Sequence, residues 1–139
     1  MYKRQILHDG NYLIFGRYLA DGEIKTWLLK TDSEGNIIWE NSYDLSTTTD
    51  ITEGGDGNIY ISGGYGMWGT PATAYIVKIN QNGTQEWIQN ESSSLNTSGN
   101  NIYPIVDNGL AVAGAYTSTD PDWNATGRWL WTTDSLGNT

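Results

Sequence analysis

Three stretches of this chain repeat one another, and repetition at this spacing narrows the possible folds more than any other feature of the sequence. Gly10-Asn11-Tyr12-Leu13-Ile14-Phe15-Gly16-Arg17-Tyr18 aligns with Gly57-Asn58-Ile59-Tyr60-Ile61-Ser62-Gly63-Gly64-Tyr65. Both align with Asn108-Gly109-Leu110-Ala111-Val112-Ala113-Gly114-Ala115-Tyr116. Each copy ends in Gly-x-Tyr and each follows an aspartate: Asp9, Asp56 and Asp107. Downstream, Trp27-Leu28-Leu29-Lys30-Thr31-Asp32 aligns with Tyr75-Ile76-Val77-Lys78-Ile79-Asn80 and with Trp129-Leu130-Trp131-Thr132-Thr133-Asp134. The turns that follow match as well: Ser33-Glu34-Gly35-Asn36, Gln81-Asn82-Gly83-Thr84 and Ser135-Leu136-Gly137-Asn138. Trp39 then pairs with Trp87. Equivalent glycines lie 47 residues apart at Gly16 and Gly63 and 54 apart at Gly83 and Gly137.

Each repeat reads as four strands. Strand a is the Gly-x-Tyr segment, strand b starts at Trp27, Tyr75 or Trp129, and strand c carries Trp39 or Trp87. Strand d is short, over residues 49–53 and 101–106, with residues 4–8 resembling a strand d that opens the chain. The polar stretches 46–50 and 92–101 read as loops or short polar strands. A period of this length filled by short strands is in the range of propeller blades. The expected fold is therefore all-β, with β-propeller blades of four antiparallel strands and about three repeats, the ring incomplete in one chain. One domain spans 1–139, with repeats at 9–55, 56–106 and 107–139, the last truncated. Composition agrees: Gly 17, Trp 7 and Tyr 9 against Phe 1 describe a turn-rich β chain. No stretch combines helical apolar periodicity with caps.

The turns have readable chemistry. Asp32, Asn80 and Asp134 can accept hydrogen bonds from the turn backbone. Gly35, Gly83 and Gly137 supply the positive φ of a bulged hairpin loop. Calcium would need about 6–8 converging oxygens, and no acidic cluster of that kind stands out. Asp120-Pro121-Asp122 comes nearest and reads as a turn. Strands a and b are nearly continuous apolar runs ("YLIF", "WLLK", "YIVKI", "LAVA"), which implies burial on both faces, as in a blade between two neighbours. Trp27, Trp39, Trp87 and Trp129 are read as structural, packing between blades near their outer part, where large rings fill a widening gap. The small residues of strand a (Gly63, Gly64, Ala111, Ala113, Gly114) suit a crowded inner end.

These motifs, "DGNYLIFGRY" followed by "TWLLKTDSEGNIIWENSY", resemble repeats of bacterial and archaeal secreted or cell-surface β-propeller proteins. The usual form there is Asp-Gly-Gly-Tyr-apolar-apolar-Ala-Gly, then Trp-Leu-apolar-Lys-apolar-Asp, Gly-Asn, and a tryptophan four residues after the glycine. The resemblance covers nearly the whole chain and implies an extracellular or surface setting. It speaks to fold rather than activity, because such propellers serve many roles. The Gly35-to-Trp39 and Gly83-to-Trp87 spacing also resembles the tryptophan-docking repeat of quinoprotein-like propellers. The turn between Asp32 and Gly35 is one residue shorter here, and nothing matches a quinone pocket or its calcium site. No cofactor is expected.

A propeller closes with ~4–8 blades, so two complete blades and parts of others cannot close alone. The missing blades belong to a longer chain, or several copies assemble as a homo-oligomer that closes the ring. The chain is acidic, with 16 Asp+Glu against 7 Lys+Arg, and no basic face for nucleic acid or an anionic membrane is visible. No apolar run approaches the ~20 residues of a membrane helix. Residues 1–8 carry charge but lack the apolar core of a signal peptide.

Function is expected on variable loops carried by a rigid scaffold. Antiparallel strands put the a–b connections (19–26, 66–74, 117–128) and the c–d connections (45–48, 91–100) on one side. Trp68 and Trp123 fall there. They either fold back over a blade edge or form a stacking platform for a carbohydrate or a protein partner, with Asp120, Asp122 and Asn124 as polar contacts. Catalytic machinery is hard to assemble. His8 is the only histidine, there is no cysteine, and no spacing singles out a carboxylate pair. Four Asn-x-Ser/Thr matches, at Asn82, Asn90, Asn96 and Asn124, are what an Asn-, Ser- and Thr-rich chain contains by chance. The expected function is a non-catalytic propeller scaffold or recognition module for protein or carbohydrate. The alternative is a piece of a propeller enzyme, glycosidase or quinoprotein-like.

Overall fold

The computed structural model describes residues 3–65, 72–91, 96–118 and 126–139. Eleven strands are found among them: β1 (Lys3–Ile6), β2 (Tyr12–Ala20), β3 (Glu23–Thr31), β4 (Ile37–Tyr43), β5 (Thr48–Glu53), β6 (Ile59–Tyr65), β7 (Thr73–Ile79), β8 (Gln85–Asn90), β9 (Asn96–Pro104), β10 (Leu110–Thr117) and β11 (Thr126–Thr133). One 3-10 turn, Val106–Asn108, interrupts them, and the described residues contain no α-helix. All pairings are antiparallel. The strands form three sheets, ordered β1-β2-β3-β4, β5-β6-β7-β8 and β9-β10-β11.

The sheets are out of phase with the sequence repeats. Strand d of one repeat joins the sheet of the next, because the tight Asp-Gly-Asn turn returns the chain directly onto strand a. Five turns share one hydrogen-bond pattern, in which N–H of the first residue donates to C=O of the fifth and N–H of the fourth donates to C=O of the first. At Asp32 these are Asp32 N to Asn36 O, 2.9 Å, and Gly35 N to Asp32 O, 3.1 Å. The fourth residue is Gly10, Gly35, Gly57, Gly83 or Gly137, each with φ between 74° and 91°. This is a left-handed conformation that a Cβ disfavours. The Asp32 side chain accepts from Glu34 N (3.0 Å), Asn36 N (2.8 Å) and Asn36 Nδ2 (2.8 Å). Asp134 accepts the same set from Leu136 and Asn138. Before β10 the glycine is displaced by one position, and Asn108 takes the positive φ, 58°.

The recurring glycine of Gly-x-Tyr has a separate cause. Gly63 pairs with Tyr75 and Gly114 with Trp129 across the strands. A Cβ on Gly114 would lie 2.6 Å from the Trp129 ring, and one on Gly63 would strike the Tyr75 ring and the Thr47 carbonyl. The glycine makes room for the aromatic that opens the next strand.

Each sheet presents two faces, set by the alternation of side chains along its strands. The forward face carries Leu13, Phe15 and Leu28 in the first sheet, Tyr60 and Ile76 in the middle one, and Ala111, Ala113 and Leu130 in the third. The rear face carries Tyr12, Ile14 and Leu29, then Ile59, Ile61 and Val77, then Leu110, Val112 and Trp131. The first sheet's forward face packs on the middle sheet's rear, in a core of Leu13, Phe15, Leu28, Ile59, Ile61 and Val77. The middle sheet's forward face packs on the third sheet's rear, through Tyr60, Ile76, Ile102, Leu110, Val112 and Trp131.

The continuous apolar runs predict burial on both faces, and only the middle sheet has it. Residues 74–77 of β7 are all buried, whereas β3 and β11 alternate. Among the described residues, the first and third sheets have a neighbouring sheet on one side only.

Element boundaries also depart from the sequence reading. The strand expected at 4–8 is Lys3–Ile6, because Leu7–Asn11 forms the turn. The strand expected at 101–106 runs from Asn96 to Pro104. Its polar first half is held by ladder pairing to β10 and by Thr97, which is buried. The loop expected at 19–26 is a hairpin extended to a two-residue Asp21-Gly22 turn, φ 52° and 82°. Asp-Gly favours this turn because both residues need positive φ.

Candidate functional site

The tight turns that precede β2, β4, β6, β8 and β10 line one edge of the stack, and the β2–β3 hairpin tip and the β4–β5 connection lie at the other. The tight edge is where the sheets lock together. Trp39, Asn41 and Tyr43 alternate along β4 and share one face. All three reach the Gln81–Gly83 turn of the middle sheet. Trp39 Nε1 donates to Gln81 O at 2.8 Å, Asn41 Nδ2 to Gly83 O at 3.0 Å, and Tyr43 Oη to Gly83 O at 2.6 Å. A Cβ on Gly83 would lie 3.0 Å from the Trp39 ring. Burial pushes the Tyr43 hydroxyl up to about 12, so it stays a donor.

One repeat later, Trp87 lies over Gly137 of the third sheet, 3.1 Å from a Cβ built there. Its ring also meets Tyr60, with centroids 6.1 Å apart. Trp129 is half-buried against the second core and donates Nε1 to Ala115 O at 2.9 Å. Trp27 differs from the expectation of packing between sheets. It lies half-buried on the first sheet's rear face, where no sheet covers it, and donates to Glu40 Oε1 at 2.6 Å. The Gly35 turn is likewise open, with nothing within 4 Å of a Cβ.

Polar clips secure the same edge. Lys30 Nζ lies 3.1 Å from Asp9 Oδ2, and Lys78 Nζ lies 3.3 Å from both Asp56 and Glu86. Tyr60 Oη donates to Asp56 at 2.8 Å, and Lys78 sits 5.8 Å from the Tyr60 ring centroid. Burial pushes Asp56 up, but hydrogen bonds from Asn58, Tyr60 and Lys78 outweigh it and hold the carboxyl below its usual range. Asp9 behaves alike: burial raises it, and Asn11 and Lys30 pull it down further than that. Burial, and then the Asp56 carboxylate, push the Tyr60 hydroxyl far up. Both lysines stand at the same position of strand b, and each pairs with the aspartate that opens its own repeat. His8 ties the first sheet's turn to the middle sheet: its N–H donates to the buried Glu53 carboxylate at 2.6 Å, and Nδ1 lies 3.2 Å away.

The loop edge carries buried hydroxyls between the first two sheets. Thr26 Oγ1 donates to Leu45 O at 2.8 Å, Thr48 Oγ1 is 2.6 Å from it, and Tyr75 Oη is 3.2 Å beyond. On the exposed side, Lys25 pairs with Asp44 at 2.5 Å, and the β2–β3 hairpin tip holds Leu19 and Ile24 in solvent. Trp68, Asp120, Asp122, Trp123 and Asn124 lie outside the described residues. Among the described residues no group of three or more His, Cys, Asp or Glu side chains is placed to hold a metal ion. No helix there is long and apolar enough to cross a membrane. Compared with protein-family models and with curated protein sequences, the chain matches none.

Proposed function

We propose that the three sheets are blades of a β-propeller and that the protein is a non-catalytic scaffold or recognition module. The observation that carries this reading is the repeated lock: a tryptophan of one sheet seated on the glycine turn of the next, at Trp39–Gly83 and again at Trp87–Gly137. A lock that recurs in the same sense stacks sheets in series, as blades stack around an axis. A rigid stack of this kind can carry function on variable connections. The ligand is a carbohydrate or a protein surface, met by Trp68 and Trp123 with Asp120 and Asp122 as polar contacts. Aromatic faces supply apolar area and carboxylates orient hydroxyl or amide groups. The resemblance of the repeats to secreted and surface propellers supports recognition outside the cell.

The test is a glycan array and a protein-ligand screen with the wild type and the Trp68→Ala/Trp123→Ala variant. The expected result is a ligand whose affinity falls at least tenfold in the variant, with an unchanged melting temperature. A variant that unfolds would assign the two tryptophans to the scaffold instead.

A further inference from the structure

The two ends of the stack expose opposite faces, and each is a face that the molecule buries elsewhere. On the forward side, Leu28 and Ile76 are 0% exposed in the two internal interfaces. Leu130, at the same repeat position in the third sheet, is 69% exposed. On the rear side, Ile59 and Leu110 are buried, whereas Tyr12 of the first sheet, again at the same position, is 38% exposed. The first sheet therefore lacks a forward face to sit on its rear, and the third lacks a rear face to cover its front. One copy of the chain carries both missing halves.

We infer that these end faces dock on each other between two copies, head to tail, so that the third sheet of each covers the first sheet of the other. The contact reuses the central part of the internal interfaces: Leu130 in the role of Leu28 and Ile76, and Tyr12, Ile14 and Leu29 in the role of Ile59, Ile61 and Val77; the three-stranded third sheet has no counterpart of β4 or β8, so this contact forms without a lock tryptophan. The stoichiometry follows from counting. For the 139-residue chain, with three sheets among its described residues, two copies give six sheets, within the ~4–8 blades of a closed propeller, whereas three copies give nine. Its two-fold axis is the ring axis, and both end faces are used, so growth stops. The inference rests on the reading of the sheets as blades.

Size-exclusion chromatography with light scattering tests it on the 139-residue chain, alongside Leu130→Arg and Tyr12→Arg. The expected wild-type mass is about 31 kDa, twice the 15.4 kDa chain and independent of concentration. Each variant should elute at 15.4 kDa with an unchanged β circular dichroism spectrum, since both side chains already face outward. A folded wild-type monomer would overturn the self-docking and leave the blade reading standing. A polydisperse, growing assembly would overturn the ring closure. A dimer that survives both substitutions would overturn the choice of faces.

Discussion

Replacing Gly83 by alanine isolates the lock between sheets, because Gly35→Ala provides an internal reference. Both glycines have positive φ, 91° at Gly35 and 81° at Gly83. Alanine at either site costs the ~1–2 kcal/mol of a left-handed L-residue. At Gly35 nothing further is lost, since a Cβ meets nothing within 4 Å. At Gly83 the Cβ arrives 3.0 Å from the Trp39 ring and also strikes the Asn41 amide. The amide can swing away, but the ring must lift. A tryptophan buries ~150–250 Å², and about half of that is at stake for half-buried Trp39. At ~25 cal/mol per Å² this is about 2–3 kcal/mol. Partial retention of contact brings the extra cost to ~2 kcal/mol. Urea unfolding followed by tryptophan fluorescence reads it. With a slope of ~1–3 kcal/mol per molar, the Gly83→Ala midpoint should fall about 1 M below that of Gly35→Ala. Equal midpoints would refute the docking of Trp39 on this turn as a source of stability.

Stability should also fall in acid, measured as the urea midpoint from pH 7 to pH 2. Asp9, Asp32, Asp56 and Asp134 are all held below their usual range, Asp32 and Asp134 chiefly by the side chains of Asn36 and Asn138. A depressed folded pKa stabilises above the unfolded value of about 3.9 and loses that contribution as pH falls through the folded one. The midpoint should hold to about pH 4 and drop below it; a rise in acid would contradict the assignment. Tyr60→Phe removes one donor to Asp56 and should cost ~1 kcal/mol while making the acid drop shallower, read in the same titration. Thr26→Val strands the buried Leu45 carbonyl and leaves the Thr48 hydroxyl with Tyr75 Oη alone, and should cost ~1–3 kcal/mol by calorimetry.

The hairpin architecture was legible because glycine position and apolar run are local signals. The Asp32–Gly35, Asn80–Gly83 and Asp134–Gly137 turns needed no knowledge of the rest of the chain. Three things were hidden. The polar half of β9 carries no hydrophobic period, since its stability comes from the ladder with β10 and from hydrogen bonds such as Ala74 N to Thr97 Oγ1, 2.9 Å. The Asp21-Gly22 turn is signalled by its dipeptide, but the short polar segment 19–26 around it has no apolar run to mark the strands that extend into it. The partners of Trp39, Asn41 and Tyr43 lie about 40 residues away in sequence, at Gln81 and Gly83, and no local pattern specifies them. The same limit applies to Trp27, which lies half-buried on the first sheet's rear face, where none of the described sheets covers it. The recurrence of Lys30 and Lys78 opposite Asp9 and Asp56 was available to a pairwise comparison of repeats.

The most direct test of head-to-tail closure uses the absence of cysteine from the chain. Leu29→Cys/Leu130→Cys places one thiol on each end face, and a short bismaleimide then links faces that lie together. The expected product on a denaturing gel is a single band at twice the chain mass. A ladder of higher multiples, or monomer alone after complete thiol reaction, would contradict a closed ring of two chains.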